Sequence, residues 1–190
     1  RLAYWRERLG ERFFLFVGGL RYYKGLDILL AALKHAPYPL VIVGAGPIEA
    51  ELRAQIQQQG GTRVHFLGAL PDAEKFALFQ LCYALVFPSN IRSEAYGISL
   101  VEAAMFGKPM VSCEIGTGTS YVNLHEETGY VVPPFDSIAL RKAMDALWND
   151  PSLAARFGEQ AEKRYWQLFT ADGMVRKYAD VYRSVLERSK

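Results

Sequence analysis

Along most of the chain, short unbroken apolar runs alternate with longer amphipathic stretches. "FFLFVGG" (13–19), "LVIVGAG" (40–46), "VHFLG" (64–68), "ALVFP" (84–88), "PMVSCE" (109–114) and "TGYVVP" (128–133) are mostly apolar runs edged by glycine or proline, with His65 and Ser112 the polar residues inside them. Each predicts a buried strand, because a strand covered on both faces has no need to alternate polar and apolar positions. Between them, "GLDILLAALKHA" (25–36), "PIEAELRAQIQQQGG" (47–61), "PDAEKFALFQLC" (71–82) and "GISLVEAAMFG" (97–107) have helical spacing. Pro47 stands near the start of the second of these, glycines follow it, and Asp72 is a candidate cap for the third. After residue 133 the strands stop. "SIALRKAMDALWN", "PSLAARFGEQAEKRYWQLF" and "ADGMVRKYADVYRSVLERSK" predict three helices in a row.

Strands that alternate with helices predict an α/β fold, a Rossmann-like, doubly wound parallel sheet of about six strands followed by C-terminal helices. Residues 1–150 are expected to form that domain, and residues 151–190 to be helices packed on it. In such sheets ligands bind beyond the carboxyl ends of the strands. The residues to weigh are therefore those just after each strand: Gly18 to Arg21, Gly44 to Gly46, Gly68 and Ala69, Pro88 to Gly97, and Gly116 to Gly118.

Composition changes this picture little. The 190 residues are 51% hydrophobic with a net charge of +2, which permits a sizeable core and is too mild to argue for nucleic acid. No apolar run is long enough for a transmembrane helix, and no signal peptide is read. Arg1 in place of Met leads us to expect a fragment or a processed product. Cys82 and Cys113 lie in apolar contexts without a CxxC, so reduced core thiols in a cytoplasmic protein are expected. The three histidines have no metal-ligand spacing, and no metal site is expected.

Four stretches could carry chemistry. Gly44-Ala45-Gly46 opens like a dinucleotide fingerprint, but Glu49 stands where the third glycine belongs, and no acid ends the next strand to hold a ribose. A tight strand-to-helix turn is the better account. "VGGLRYYKG" (17–25) joins a glycine turn to Arg21 and Lys24, and Lys24 sits near a helix start, where the helix dipole disfavours a cation. A bound phosphate would resolve that conflict, and so would simple exposure to solvent. "RSEAYGISLVEAAMFGKP" (92–109) places Glu94 and Glu102 eight positions apart around the start of one helix. Ser99 and Glu102 could form an S-x-x-E capping box, which would leave Glu94 and Tyr96-Gly97 unexplained. Alternatively, the helix-start amides could meet an anion while the two carboxylates accept hydrogen bonds from sugar hydroxyls. "CEIGTGTSYV" could line a cleft or make a turn. No DxD motif is present to hold a metal-bound diphosphate.

Taken in order, "VGGLRYYKGLDILLAAL", "LVIVGAGPIEAEL", "VHFLGALPDAEKFALF" and "PSNIRSEAYGISLVEAAMFGKPMV" resemble the C-terminal, donor-binding half of a retaining GT-B glycosyltransferase of family 4. The likeness covers nearly the whole chain, and Glu94 and Glu102 fall on the acidic positions of the family's E-x7-E element. The resemblance implies that Glu102 holds the donor ribose and Glu94 contacts the sugar hydroxyls. It further implies that the backbone around Gly97, Ile98 and Ser99 faces the diphosphate, with Tyr96 a further substrate-binding candidate, and that Lys24 neutralises that leaving group. Gly18 and Gly19 would form the first turn, and Phe66 and Leu67 would lie near the base. The family often has arginine where Gly19 stands, and Arg21 is the candidate replacement. No cofactor is implied. The donor would be a nucleotide sugar, GDP-mannose or UDP-hexose with the former placed first, and the acceptor a polysaccharide or lipid-linked glycan.

The same resemblance implies an N-terminal acceptor domain that these residues lack, toward which the last helices would cross back. Aromatic-basic mixtures at Tyr4 and Trp5, and at Lys163 to Trp166, suit an interface with that domain or with the inner face of the cytoplasmic membrane, unless Tyr165, Trp166 and Phe169 serve the helices' own core. Three other readings stay open: a GT-B sugar-nucleotide epimerase or phosphorylase relative, a non-catalytic nucleotide-sugar-binding module, and an α/β domain without a ligand.

Overall fold

A computed structural model describes residues 1–60 and 63–188. In chain order the elements are α1 (Leu2–Leu9), β1 (Phe14–Val17), a 3-10 turn (Tyr22–Lys24), α2 (Leu26–Ala32), β2 (Leu40–Val43), α3 (Glu49–Gln58), β3 (Val64–Phe66), α4 (Asp72–Leu81) and β4 (Ala84–Phe87). Then follow α5 (Ile98–Met105), β5 (Met110–Cys113), α6 (Thr119–Val122), β6 (Gly129–Val132), α7 (Ser137–Asn149), α8 (Pro151–Leu168) and α9 (Ala171–Arg188). Gly61, expected to follow the second predicted helix, and the end of the last one at Ser189 and Lys190 lie outside the described residues.

The strands form one six-stranded parallel sheet in the order β3-β2-β1-β4-β5-β6. The unbroken apolar runs follow from this order. Every residue of β1, β2, β4 and β5 is buried, because helices cover both faces, whereas the edge strand β3 leaves His65 exposed. Alternate side chains divide between two cores. Phe14, Phe16, Leu40, Ile42 and Val86 pack with α2, α3 and α7 on one face. Leu15, Val17, Val41, Leu85 and Phe87 pack with α1, α4 and α5 on the other. The free thiols Cys82 and Cys113 belong to opposite cores, and burial pushes both up to about 12.

Three local expectations fail for identifiable reasons. Asp72 is the first residue of α4 rather than its cap; Pro71 takes that position, and the Asp72 carboxylate turns to Lys75. The first expected helix stops at Ala32, because the chain adopts a left-handed conformation at His35 ahead of Pro37. The opening residues form a helix that the sequence reading missed. Trp5 on that helix is buried against α4, with its indole N–H donating to Glu74 at 2.6 Å, so it is core and not interface.

At the amino ends of the strands, the Arg12 guanidinium lies 3.9 Å from the centroids of both the Tyr83 and Trp148 rings and closes that end of the sheet. Asp136 and Asp150 cap α7 and α8 by accepting from backbone amides at 2.8–3.0 Å. Ala154, Phe157, Gly158 and Ala161 place α8 within the two cores, and Tyr165 and Phe169 pack partly against the second, while Trp166 stays exposed. By contrast, α9 exposes Met174, Val175, Tyr178, Val181, Tyr182 and Leu186. Among the described residues, no helix is long and apolar enough to cross a membrane.

Close approach of α8 to the end of α5 depends on Gly158, where an added Cβ would stand 2.2 Å from the Gly107 carbonyl oxygen. Gly158→Ala gains about 1 kcal/mol of helix propensity but forces two backbones apart, at about 3 kcal/mol. We expect the melting temperature to fall by about 5 °C, as a thermal scan would show. A rise would mean that the helices separate freely.

Candidate functional site

The sheet order reverses between β1 and β4. From β1 the chain goes outward to β2 and β3, then returns to place β4 on the other side of β1. The helices that follow these two central strands cover opposite faces, α2 one and α5 the other. A crevice therefore opens at the carboxyl ends of β1 and β4, the place where parallel α/β sheets take their ligands.

Two loops border it, residues 18–25 and 88–97. They are fastened by backbone. Gly25 is left-handed (φ 66°), and a Cβ there would lie 2.0 Å from the Pro88 carbonyl oxygen, so only glycine permits the contact. The Asn90 amide donates to the Tyr23 carbonyl at 3.0 Å. This fastening brings Lys24 Nζ onto the Glu94 carboxylate as an ion pair, with the two side chains only 13% and 12% exposed. Ser89 Oγ lies 3.4 Å from the same carboxylate oxygen. Lys24 is the last residue of the 3-10 turn, separated from α2 by its N-cap Gly25, and Glu94 supplies the counter-charge that its position calls for.

Glu102, one of the two acids of the E-x7-E element, does not cap its helix. The left-handed Gly97 stands at the N-cap of α5, Ser99 is buried inside the first turn, and the expected capping box does not form. Glu102 Oε1 instead accepts from Lys75 Nζ of α4 at 2.7 Å, with side chains 17% and 18% exposed. Among the described residues, no side chain takes the amides of Ile98 and Ser99. The Ile98 side chain itself is exposed.

The remaining expected residues take varied places. Gly18 lies under the Lys24 side chain, with Lys24 Cε 3.8 Å from an added Cβ, and Gly19 is exposed beside Ala45. Arg21 is exposed, and its guanidinium meets no carboxylate among the described residues. Phe66 and Leu67 close the edge strand β3, two strands away from β1. The Phe66 ring packs toward α3 with the Arg53 guanidinium 4.4 Å above it, and Leu67 packs toward the other face. Tyr96 is partly exposed and its ring lies against Gly118; the Gly118 amide donates to the Ala95 carbonyl at 3.0 Å, so the loop after β5 braces the second border loop. Gly44-Ala45-Gly46 is the expected turn. Added Cβ atoms at Gly44 and Gly46 would lie 1.9 and 2.2 Å from the carbonyl oxygens of Gly18 and Leu20, so these glycines let the turns after β1 and β2 stack.

Lys75 escaped the sequence reading, and Ser89 and Asn90, though within the stretch Pro88 to Gly97, were given no role of their own. Lys75 carried the same signal as Lys24, a cation near a helix start, and the same test applied to "PDAEKF" would have found it. Ser89 and Asn90 are buried polar residues directly after a strand, a placement visible only once β4 is known to be central.

Comparison with known proteins agrees with this geometry. Residues 4–164 match the family model for glycosyl transferases group 1. The chain is 63% identical over 171 residues to D-rhamnosyltransferase WbpZ of Pseudomonas aeruginosa, covering 90% of this chain and 45% of that protein. It is 52% identical over 187 residues to O-antigen chain mannosyltransferase C of Escherichia coli, covering 98% and 50%. The crystal structure of Anabaena HepE in complex with UDP superposes with a TM-score of 0.87 at 25% identity, over 96% of this chain and 52% of that one. The chain thus spans about half the length of the relatives it matches. With the parallel sheet, the crevice at the β1/β4 reversal and the paired acids at α5 all accounted for, this chain belongs to the glycosyl transferases group 1 family.

Proposed function

We propose that this chain is the donor-binding half of a retaining glycosyltransferase that moves a hexose from a nucleoside diphosphate sugar to a polysaccharide or lipid-linked glycan. The observation that carries the reading is the Lys24–Glu94 pair in the β1/β4 crevice beside the uncapped start of α5. A cation and a set of free amides suit a diphosphate, and two carboxylates suit hydroxyls. In this reading Glu102 takes the ribose and Glu94 the sugar hydroxyls. The backbone of Gly97, Ile98 and Ser99 faces the diphosphate, with Tyr96 leading into it, and Lys24 meets its charge. Gly18 and Gly19 form the floor, Arg21 is the second cation available to the diphosphate, and Phe66 and Leu67 lie toward the base. Two relatives named for D-rhamnose and mannose transfer support a manno-configured donor, so GDP-mannose is placed before UDP-hexose.

Charge drives the proposed reaction. As the bond from the anomeric carbon to the diphosphate breaks, negative charge grows on the leaving oxygen, where Lys24 and the α5 amides are aimed. Removing one such donor costs about 3–4 kcal/mol of barrier. The acceptor hydroxyl forms its bond to the anomeric carbon from the face the diphosphate leaves and passes its proton to the departing diphosphate oxygen, so that configuration is retained. The exposed apolar residues of α9, Met174, Tyr178 and Val181 among them, are proposed to pack on the acceptor half. Exposed Trp166 beside Lys163 suits a position at the inner face of the cytoplasmic membrane.

The division of labour between the acids is testable by calorimetry. Glu102→Gln is expected to weaken free nucleoside diphosphate about tenfold, and Glu94→Gln to spare it while weakening the sugar-linked donor about tenfold. Equal losses of free nucleotide in both variants would refute the division. Because the charges assigned to the diphosphate are Lys24 and backbone amides, EDTA is expected to leave donor affinity unchanged; Mg²⁺-dependent binding would contradict that assignment. These 190 residues alone are expected to bind donor and transfer no sugar, with transfer returning when the other half of the protein is supplied. Turnover by the chain alone would show that the acceptor site lies within it.

A further inference from the structure

Lys75 takes no role in the reading above, yet its surroundings are as specific as those of Lys24. It is the fourth residue of α4, where the partial positive charge of the helix start disfavours a cation. Two carboxylates hold it there: Asp72 Oδ1 at 3.0 Å, from its own helix, and Glu102 Oε1 at 2.7 Å, from α5. Asp72 is 78% exposed, while Lys75 and Glu102 are 18% and 17% exposed, so the pair with Glu102 is the one shielded from water. The bond is also one-sided. Lys75 occupies Oε1 of Glu102, and among the described residues no donor meets Oε2. A carboxylate held by one oxygen is fixed in direction and keeps the other oxygen free to accept.

We infer that Lys75 is a positioning residue for the donor nucleoside: it orients Glu102 so that Oε2 accepts from a ribose hydroxyl, and so sets the preference for ribonucleotides over forms that lack those hydroxyls. This deepens the proposed function and rests on its assignment of Glu102. A brace between α4 and α5 with no bearing on ligand is the competing account, and the two differ in what they predict for ligands without hydroxyls.

The test is calorimetry of the wild type, Lys75→Met and Lys75→Arg with GDP, UDP and the 2′,3′-dideoxy form of each. The wild type is expected to bind one ribonucleotide at least about tenfold tighter than its dideoxy form. Lys75→Met should lose about tenfold on the ribonucleotide and nothing on the dideoxy form, while Lys75→Arg keeps most of the discrimination. Should Lys75→Met fail to fold, Lys75→Gln is measured in its place with the same expectation of selective loss. Equal weakening of both ligands, or no change in either, overturns the inference and leaves the donor site standing. Binding of neither GDP nor UDP by the wild type overturns the donor site itself, and this inference with it.

Discussion

The site depends on one backbone contact, the approach of Gly25 to the Pro88 carbonyl. A parallel sheet whose order reverses leaves a gap between the loops that follow its two central strands. Here the gap is narrowed because a residue without a Cβ lets the turn after β1 rest on the chain leaving β4. That contact sets the reach of Lys24 toward Glu94. Each of these charges comes from a different strand end, and each is largely withdrawn from water. An ion pair so placed is weak evidence of stabilisation, because desolvation opposes the attraction. In the function proposed above, each partner would hold the other until a ligand with both negative charge and hydroxyls divides them.

The second pair, Lys75 with Glu102, repeats the arrangement one element further on. Both acids of the E-x7-E element are thus met by lysines from other elements, and α5 is spared the task of capping itself. A capping box would have spent Glu102 on its own helix start. A glycine at the N-cap leaves the first amides of α5 free of side chains and the carboxylate free to turn to Lys75. Local stability of the helix is given up where a ligand would supply it.

Much of this was legible in the sequence, and the reasons are physical. The four central strands are buried throughout because both faces are covered, so "FFLFV", "LVIV", "ALVF" and "MVSC", with Ser112 their one polar residue, stood out without alternation. The bounds of α7 were readable because Asp136, Pro151 and the amphipathic spacing mark its ends. The E-x7-E spacing pointed to Glu94 and Glu102. The opening helix was not legible, because charged residues break up its apolar ones and only Trp5 and Leu9 are buried, too few to show a periodic apolar face. Nor was the pairing of either acid with its lysine: Lys24 and Glu94 are seventy positions apart, and Lys75 and Glu102 twenty-seven. Pairing at that range is decided by strand order, which no local pattern contains.

The most direct test of the account is a crystal structure of this protein grown with the nucleoside diphosphate sugar proposed as its donor. The account predicts the diphosphate at the carboxyl ends of β1 and β4, facing the amides of Ile98 and Ser99. Lys24 would be turned from Glu94 onto phosphate oxygen, and Glu102 would lie on the ribose. A ligand bound elsewhere, with the Lys24–Glu94 pair intact, would contradict it.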